Sequence, residues 1–444
     1  MKPQFRRREA LSLLAGMSLT GCAGRVPGIG PEEVEASRLQ PIVEQTVPTV
    51  PQTVPVSIEA SFVAGHVEEA RQLRNEVPAP LDSDEIPNEA IRERMNRLAE
   101  VVDERLRAVS DGATPFERLQ RAQRARVGAR ELSAAWRTID TEFTTDGVRD
   151  DARSVREAVD AFVSRWSYLG DDPVRALRVH GEIERSLQAA RNWATFESRD
   201  YPSNDTGPFV AGEMASDLER ARTHLTLASY LFERLRNDID SERNLRSRFE
   251  ETKQGLIGRV KRRRGSLPDR SDDESPTALV DRTVDETAGV WGLHSLYEET
   301  TREARALERT QSEENESVAN VSLDVLDLFG ALLSIRGFEQ LRRRIENGDD
   351  VDVSSASDLR SVRQNAVNAI EAARETTQNE ALVRYFLPRY VSYIRWGDKH
   401  FEGRSGTIPV SGLRRDASEY VVATSLYRAL PKVSATVAAA LRES

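Results

Sequence analysis

Residues 214–239 read MASDLERARTHLTLASYLFERLRNDI, and their apolar side chains recur at alternating steps of four and three residues. The members of this stripe are Met214, Leu218, Ala221, Leu225, Ala228, Phe232, Leu235 and Ile239. A repeat of about 3.5 residues lines one side of a helix with apolar groups, as in long-helix bundles and left-handed coiled coils. The stretch therefore predicts a long helix that buries one face against its neighbours.

The same spacing occurs in three other stretches. The matching residues are Leu132, Trp136, Ile139 and Phe143; Val148, Ala152, Val155, Val159, Phe162 and Trp166; and Ala176, His180, Ile183, Leu187, Ala190 and Ala194. No convincing alternation of β-branched residues indicates a sheet. We predict an all-α protein whose long helices pack as antiparallel bundles with coiled-coil-like heptads.

Three short sequences predict where helices begin. Thr114-Pro115-Phe116-Glu117 supplies an N-cap, a first-turn proline and a capping-box glutamate, while Asp172-Pro173 and Ser275-Pro276 repeat the cap and the proline. Each of these sequences is expected to start a helix.

The chain divides by composition into a leader, a tether and two helical domains. Residues 22–56 contain six prolines and few large apolar side chains, which favours an extended tether. Residues 264–275 are polar and lack periodicity, so they predict a boundary between a bundle over residues 57–265 and a second helical domain over residues 276–444. In the second domain, residues 318–345 are apolar on nearly every side and predict its central helix.

Charge and cysteine content narrow the function classes. The 444 residues include 63 Lys plus Arg against 73 Asp plus Glu, a formal net charge of −10, which disfavours nucleic acid as a partner. The single cysteine excludes disulfides and cysteine-based metal sites within one chain.

The first 22 residues predict export and lipid attachment. Arg6-Arg7-Arg8 precedes a short apolar run that ends at Leu19-Thr20-Gly21-Cys22. This arrangement resembles a twin-arginine translocation signal joined to a lipobox, although Ala10 stands where the twin-arginine pattern usually has a bulkier apolar residue. The resemblance implies that residues 1–21 are a signal peptide with Arg7 and Arg8 as its export signal. It further implies that lipid on Cys22 anchors the chain to the outer face of the cytoplasmic membrane.

The overall composition resembles that of proteins from salt-loving archaea. Only five of the basic residues are lysines, and acidic residues exceed lysine and arginine together. A GC-rich genome explains abundant arginine but not the acidic excess. The resemblance implies a haloarchaeal lipoprotein.

The sequence carries no familiar catalytic or metal motif. The five histidines lack zinc-site spacings, and no Walker, dinucleotide-binding or nucleophile-elbow pattern occurs. His180 lies on an apolar stripe, where a core imidazole is expected. Asp324 and Asp327 are close enough for acid–base chemistry, but a polar strip facing solvent or an arginine is the favoured interpretation. We therefore predict no enzyme activity, metal or cofactor.

The most unusual composition is RYFLPRYVSYIRW at residues 384–396. Arg389, Tyr393 and Trp396 share one helical face, and aromatic side chains beside arginine are typical of binding sites. The alternative is that these aromatic side chains fill the core of the second domain. Separately, Asn204-Asp205-Thr206 is a candidate N-glycosylation sequon between two prolines.

Three functional hypotheses follow from the sequence. The first is a lipid-anchored envelope module that binds a protein partner through helix faces or has a structural role. The second is a ligand-binding lipoprotein with a pocket near Arg389, Tyr393 and Trp396. The third is a hydrolase that uses buried carboxylates. A pocket lined by convergent polar groups favours the second or third, whereas a smooth apolar groove favours the first.

Overall fold

Helices dominate the structure, a computed structural model. It describes residues 32–141, 143, 145–196, 207–268, 274–312 and 320–443, with only the backbone described for residues 303–312. Helices account for 76% of the structure, and its strands are two or three residues long. The predicted all-α class is confirmed.

The described N-terminal part contains seven α-helices, which are α1 (Gln40–Val43), α2 (Ala60–Asn75), α3 (Glu89–Arg107), α4 (Pro115–Asp140), α5 (Thr145–Arg165), α6 (Pro173–Thr195) and α7 (Pro208–Asp238). The described C-terminal part contains six, which are α8 (Arg246–Arg264), α9 (Ala288–Ser312), α10 (Val321–Glu346), α11 (Ala356–Arg374), α12 (Glu380–Phe401) and α13 (Val410–Glu443). We call α2–α7 the N-terminal half and α8–α13 the C-terminal half.

Two small antiparallel ladders complete the fold. The strands are β1 (Glu33–Glu35), β2 (Leu169–Gly170), β3 (Arg243–Asn244) and β4 (Thr407–Pro409). In the first ladder Val34 of β1 lies opposite Ile408 of β4, and in the second β2 pairs with β3. Each ladder pairs two short segments that lie outside the α-helices.

The N-terminal half is organised around α7. This helix packs against α4, α5 and α6, while α2 and α3 pack on α4. Its predicted stripe is buried at Met214, Leu218, Ala221, Ala228, Phe232 and Leu235, and is half-buried at Leu225 and Ile239. The 3.5-residue spacing therefore identified the core-facing side of this helix.

Helix starts follow the predicted caps in two of three cases. The Thr114 hydroxyl accepts a hydrogen bond from the backbone N–H of Glu117 at 3.1 Å, and the Asp172 carboxylate accepts one from Arg175 at 2.7 Å. The third signal begins only a 3₁₀ turn, Pro276–Leu279. The expected helix does not continue because the chain turns extended at Val280, and α9 starts later.

The C-terminal half is built around α10, as predicted. This helix buries side chains on nearly every side and packs against α6, α8, α9 and α13. A helix that is apolar all round needs neighbours on all sides, and these four helices supply them.

The predicted division of the chain requires a correction at α8. Residues 57–265 were expected to form one domain, which would place α8 in the N-terminal half. Instead Phe249, Leu256 and Val260 are buried in the core that contains α10. The residues that separate the two halves are therefore 239–245, and not the polar stretch before Ser275.

The predicted tether over residues 22–56 also requires a correction. Residues 32–56, which we call the strap, lie against both halves. Leu39 and Ile42 are buried in the C-terminal core, and Val54 and Val56 are buried against the N-terminal half. The prolines prevent a long helix, but the apolar residues between them pack the strap against the cores of both halves.

A buried carboxylate joins the two halves. Glu184 of α6 is fully buried and accepts hydrogen bonds from the Tyr168 hydroxyl at 2.7 Å and from the backbone N–H groups of Ser322 at 2.9 Å and Leu323 at 2.7 Å. These two N–H groups are at the start of α10, where unpaired donors and the helix dipole favour a negative charge. Burial raises the pKa of Glu184, and the three hydrogen bonds oppose that rise.

Removing this carboxylate tests how much the junction contributes. We expect Glu184→Ala to lower the free energy of unfolding by about 3–5 kcal/mol, because it leaves three buried donors without an acceptor. Glu157→Ala, which removes an exposed carboxylate from α5, should cost less than about 0.5 kcal/mol. Urea unfolding measures both, and equal small losses would contradict the role given to Glu184.

Candidate ligand-binding cleft

The two sides of α12 have different environments. Phe386, Tyr390 and Ile394 are buried, whereas Trp396 is 52% exposed and is the most exposed large apolar side chain among the described residues. Pro388 lies inside the helix, which continues through it. The core interpretation therefore applies to the buried side of the helix, whereas the binding interpretation stays a prediction for the exposed side.

Arg389, Tyr393 and Trp396 line one cleft, which we call the aromatic cleft. Its volume is about 370 Å³, and its other walls come from α9 and α13. The charged residues of these walls are Glu298, Glu299, Arg302 and Glu419. The structure thus brings the three predicted residues together and adds carboxylates to them.

Two aromatic rings form a corner of the cleft. The centroids of Tyr393 and Trp396 are 5.3 Å apart, and their planes meet at 75°. The ring of Tyr390 stacks on that of Tyr393, with their centroids 6.2 Å apart. Two perpendicular rings present both an edge and a face to a bound group, and the face of tryptophan attracts cations most strongly among aromatic side chains.

Most of the positive charge in the cleft is already compensated. Arg302 donates from Nη1 to Glu299 at 2.8 Å, and the charge of Arg389 acts on Asp327 of α10. Glu298 lies 3.8 Å from the imidazole of His294, a separation too long for a hydrogen bond. Among the described residues, no lysine or arginine therefore pairs with the carboxylates of Glu298 and Glu419.

Glu419 is the most perturbed group in the cleft. Burial, with the nearby negative charge of Asp416, raises its pKa to about 7. Within the described part of the chain, its buried Oε2 atom has no hydrogen-bond partner. A cation that approaches such a carboxyl group stabilises its ionised form and therefore lowers its pKa.

Other predicted sites have different outcomes. Asp324 is buried and lies 2.5 Å from Nζ of Lys253, whereas Asp327 is exposed. His180 is fully buried, with Nε2 bonded to the Leu169 carbonyl at 2.8 Å, as expected for a core imidazole. Burial lowers its pKa to about 4.

Four predicted residues have no structural account. Arg7, Arg8, Cys22 and Asn204 lie outside the described residues. Among the described residues, no group of three His, Cys, Asp or Glu is arranged to hold a metal ion. None of the described helices is long and apolar enough to span a bilayer.

Sequence reasoning missed the carboxylates of the cleft. Glu298 and Glu299 lie about 90 positions before Arg389, and Glu419 lies 30 positions after it. Acidic residues are frequent in this chain, and nothing local distinguishes these three. Only the packing of α13 against both α9 and α12 brings them together.

Comparison with known proteins divides the chain at the same place as the packing does. Residues 61–242 match the family model of a domain of unknown function (DUF8262), and residues 246–439 match that of a second domain of unknown function (DUF8264). The two matches meet between α7 and α8. No curated protein and no solved structure is detectably similar to the chain.

Two substitutions on α12 test its division into a core side and a cleft side. Trp396→Ala should lower the free energy of unfolding by less than about 1 kcal/mol, because half of this side chain already faces solvent. Phe386→Ala, on the buried side of the same helix, should cost about 3–5 kcal/mol. Thermal and urea unfolding measure the difference, and a large loss with Trp396→Ala would place that residue in the core.

Glu419 should make stability depend on pH. Its pKa is about 7 in the folded protein against an ordinary value of 4.5, so its contribution to stability is lost as pH rises from about 4.5 through 7. Glu419→Gln stays neutral, and we expect it to be more stable than the wild type by up to about 3 kcal/mol at pH 8. The gain should fall towards zero near pH 4.5.

Urea unfolding at several pH values measures this difference. Glu402→Gln, a change at an exposed carboxylate just after α12, serves as the control and should show no such trend. A stability difference between Glu419→Gln and the wild type that stays constant from pH 4.5 to pH 8 would contradict the raised pKa.

Proposed function

We propose that the protein is an exported, lipid-anchored binding protein that takes a small organic cation into the aromatic cleft. The observation that carries the proposal is the exposed Trp396 ring beside Tyr393, in a cleft that also contains the carboxylates of Glu298 and Glu419. A methylated ammonium group fits this chemistry, because it is attracted both by ring faces and by carboxylates.

The size and walls of the cleft favour a small ligand over a protein partner. A volume of about 370 Å³ lies in the range of small-molecule sites. Convergent polar groups line it, whereas a partner helix would dock in an apolar groove. The protein-interaction hypothesis therefore ranks second, and it rests on the exposed Trp396, since tryptophan is enriched at interface hot spots.

The location follows from the N-terminal sequence. Arg7 and Arg8 precede a short apolar run, and Cys22 ends a lipobox-like string. The partner implied by Cys22 is membrane lipid, which holds the folded halves at the outer face of the membrane. A cation-binding cleft in this position meets ligands that arrive from outside the cell.

Choline binding tests the ligand class. By isothermal titration calorimetry, wild-type protein should bind choline more tightly than 3,3-dimethyl-1-butanol, which has nearly the same shape and no charge. Trp396→Ala should weaken choline binding by about five- to thirtyfold, as expected for loss of a cation–π contact of about 1–2 kcal/mol. Affinity should rise between pH 6 and pH 8, because Glu419 ionises with a pKa of about 7.

The control for this titration is Trp193→Ala, which removes a half-buried tryptophan from α6. It should leave choline affinity unchanged. Equal affinity for choline and its neutral analogue, or unchanged binding by Trp396→Ala, would contradict the proposal.

Cys22→Ser tests the anchor. Thioether lipidation requires the cysteine sulfur, so the variant should be released or left unprocessed. Replacing Arg7 and Arg8 with lysine should retain precursor inside the cell. Cell fractionation measures both, and a trimmed Cys22→Ser protein that still sediments with membranes would contradict the lipid anchor.

A further inference from the structure

A second cavity lies where the two halves and the strap meet. It has a volume of about 450 Å³ and is lined by residues of α4, α6, α12 and the strap. Its charged lining residues are Arg178, Arg185, Arg384, Arg389 and the single carboxylate Glu182. We call it the arginine cavity. Sites between domains are a preferred location for ligands.

Arg178 is the unusual member of this set. The residue is only 3% exposed, and its guanidinium lies 3.8 Å above the centre of the Tyr385 ring. Nη2 makes one long hydrogen bond of 3.5 Å to the Thr53 carbonyl, while Nε and Nη1 are buried without a hydrogen-bond partner among the described residues. Nor does any carboxylate in the described ranges lie within ion-pair distance of Arg178.

Arg363 shows how this protein otherwise buries an arginine. Its side chain is equally inaccessible, but it makes hydrogen bonds of 2.7 and 2.9 Å to Asp398 and one of 2.5 Å to the Gln45 carbonyl of the strap. A buried charge is costly unless it is paired and hydrogen-bonded. Burial lowers the pKa of Arg178 to about 10, and the charge of Glu182 partly opposes this. This side chain therefore still carries its charge at pH 7, and among the described residues it forms no ion pair.

Two other arginines of the cavity have carboxylate partners. Arg185 donates to Glu182 at 2.6 Å and also to the Tyr385 hydroxyl, and Arg384 pairs with Glu380. Neither carboxylate forms an ion pair with Arg178, and four arginines against one glutamate leave the cavity lining positive.

A neighbouring groove extends the positive surface. It has a volume of about 720 Å³ and shares Gln52 and Gln120 with the arginine cavity. Its described lining includes no carboxylate and four arginines, which are Arg105, Arg121, Arg124 and Arg220. In a chain of net charge −10, this concentration of cations attracts anions to one place on the surface.

We propose that the arginine cavity binds a small oxyanion with two or more negative charges, which forms an ion pair with the guanidinium of Arg178. Phosphate-type and carboxylate-type anions share this chemistry. Bound there, the anion supplies the ion-pair partner that Arg178 lacks and contacts both α6 and α12, so it stabilises the packing of the two halves. This site shares Arg389 with the aromatic cleft but does not need that cleft's ligand.

The test compares pyrophosphate and citrate as probes, by calorimetry and thermal unfolding at matched ionic strength. Wild-type protein should bind at least one of them at micromolar to millimolar concentration and unfold at a higher temperature in its presence. Tighter binding of pyrophosphate identifies a phosphate-type site, and tighter binding of citrate a carboxylate-type site. Sodium chloride at the same ionic strength should not reproduce the stabilisation.

Arg178→Met separates binding from folding. Methionine removes the unpaired charge and keeps an unbranched apolar side chain, so the ligand-free variant should unfold at the same temperature as the wild type or higher. It should lose at least tenfold in affinity for the better probe. Arg360→Met, which removes an exposed arginine from α11, and Trp396→Ala should both keep wild-type affinity for that probe.

Three results would overturn the proposal. They are no binding of either probe by the wild type, equal stabilisation by chloride, and wild-type affinity in Arg178→Met. If that variant does not fold, Arg384→Met provides the decision, because this side chain is 56% exposed at the cavity. It should weaken probe binding at least threefold, and unchanged affinity would again overturn the proposal.

Discussion

The carboxylate of Glu184 accepts three hydrogen bonds in the buried junction between the halves, two of them from the first turn of α10. This contact fixes where α10 begins relative to α6. Because α10 is the central helix of the C-terminal half, the positions of α9 and α13 follow from it, and α12 packs in turn on α13. The strap adds a second connection, since Arg363 binds the carbonyl of Gln45.

The geometry of α12 then places two cavities of opposite character along one helix. Towards α9 and α13 it presents the rings of Tyr393 and Trp396 to a cleft that contains carboxylates. Towards α6 and the strap it places Tyr385 against the buried guanidinium of Arg178. Arg389 lines both cavities. We propose that Glu298 and Glu419 attract a cation to the first site and that Arg178 attracts an anion to the second.

Sequence periodicity predicted the features that depend on residues within a single helix. The stripe on α7 and the caps at Thr114 and Asp172 depend on residues within one helix, so the pattern identified them. The grouping of Arg389 and Trp396 also follows from helical spacing alone. For residues 32–56 the prediction of an extended tether needs correction, because prolines rule out a long helix but not burial, and Leu39 and Ile42 are buried in the C-terminal core.

The sequence did not predict contacts between residues that lie far apart in the chain. Nothing near Arg178 in the chain shows how its guanidinium is surrounded, because its neighbours come from the strap and from Tyr385, about 200 positions away.

The most direct test of two oppositely charged sites on α12 is a crystal structure of the protein with choline and pyrophosphate together. We expect choline against Trp396 and pyrophosphate against Arg178. Choline in the arginine cavity, or both sites empty at saturating concentrations, would contradict the assignment of opposite charges to the two sites.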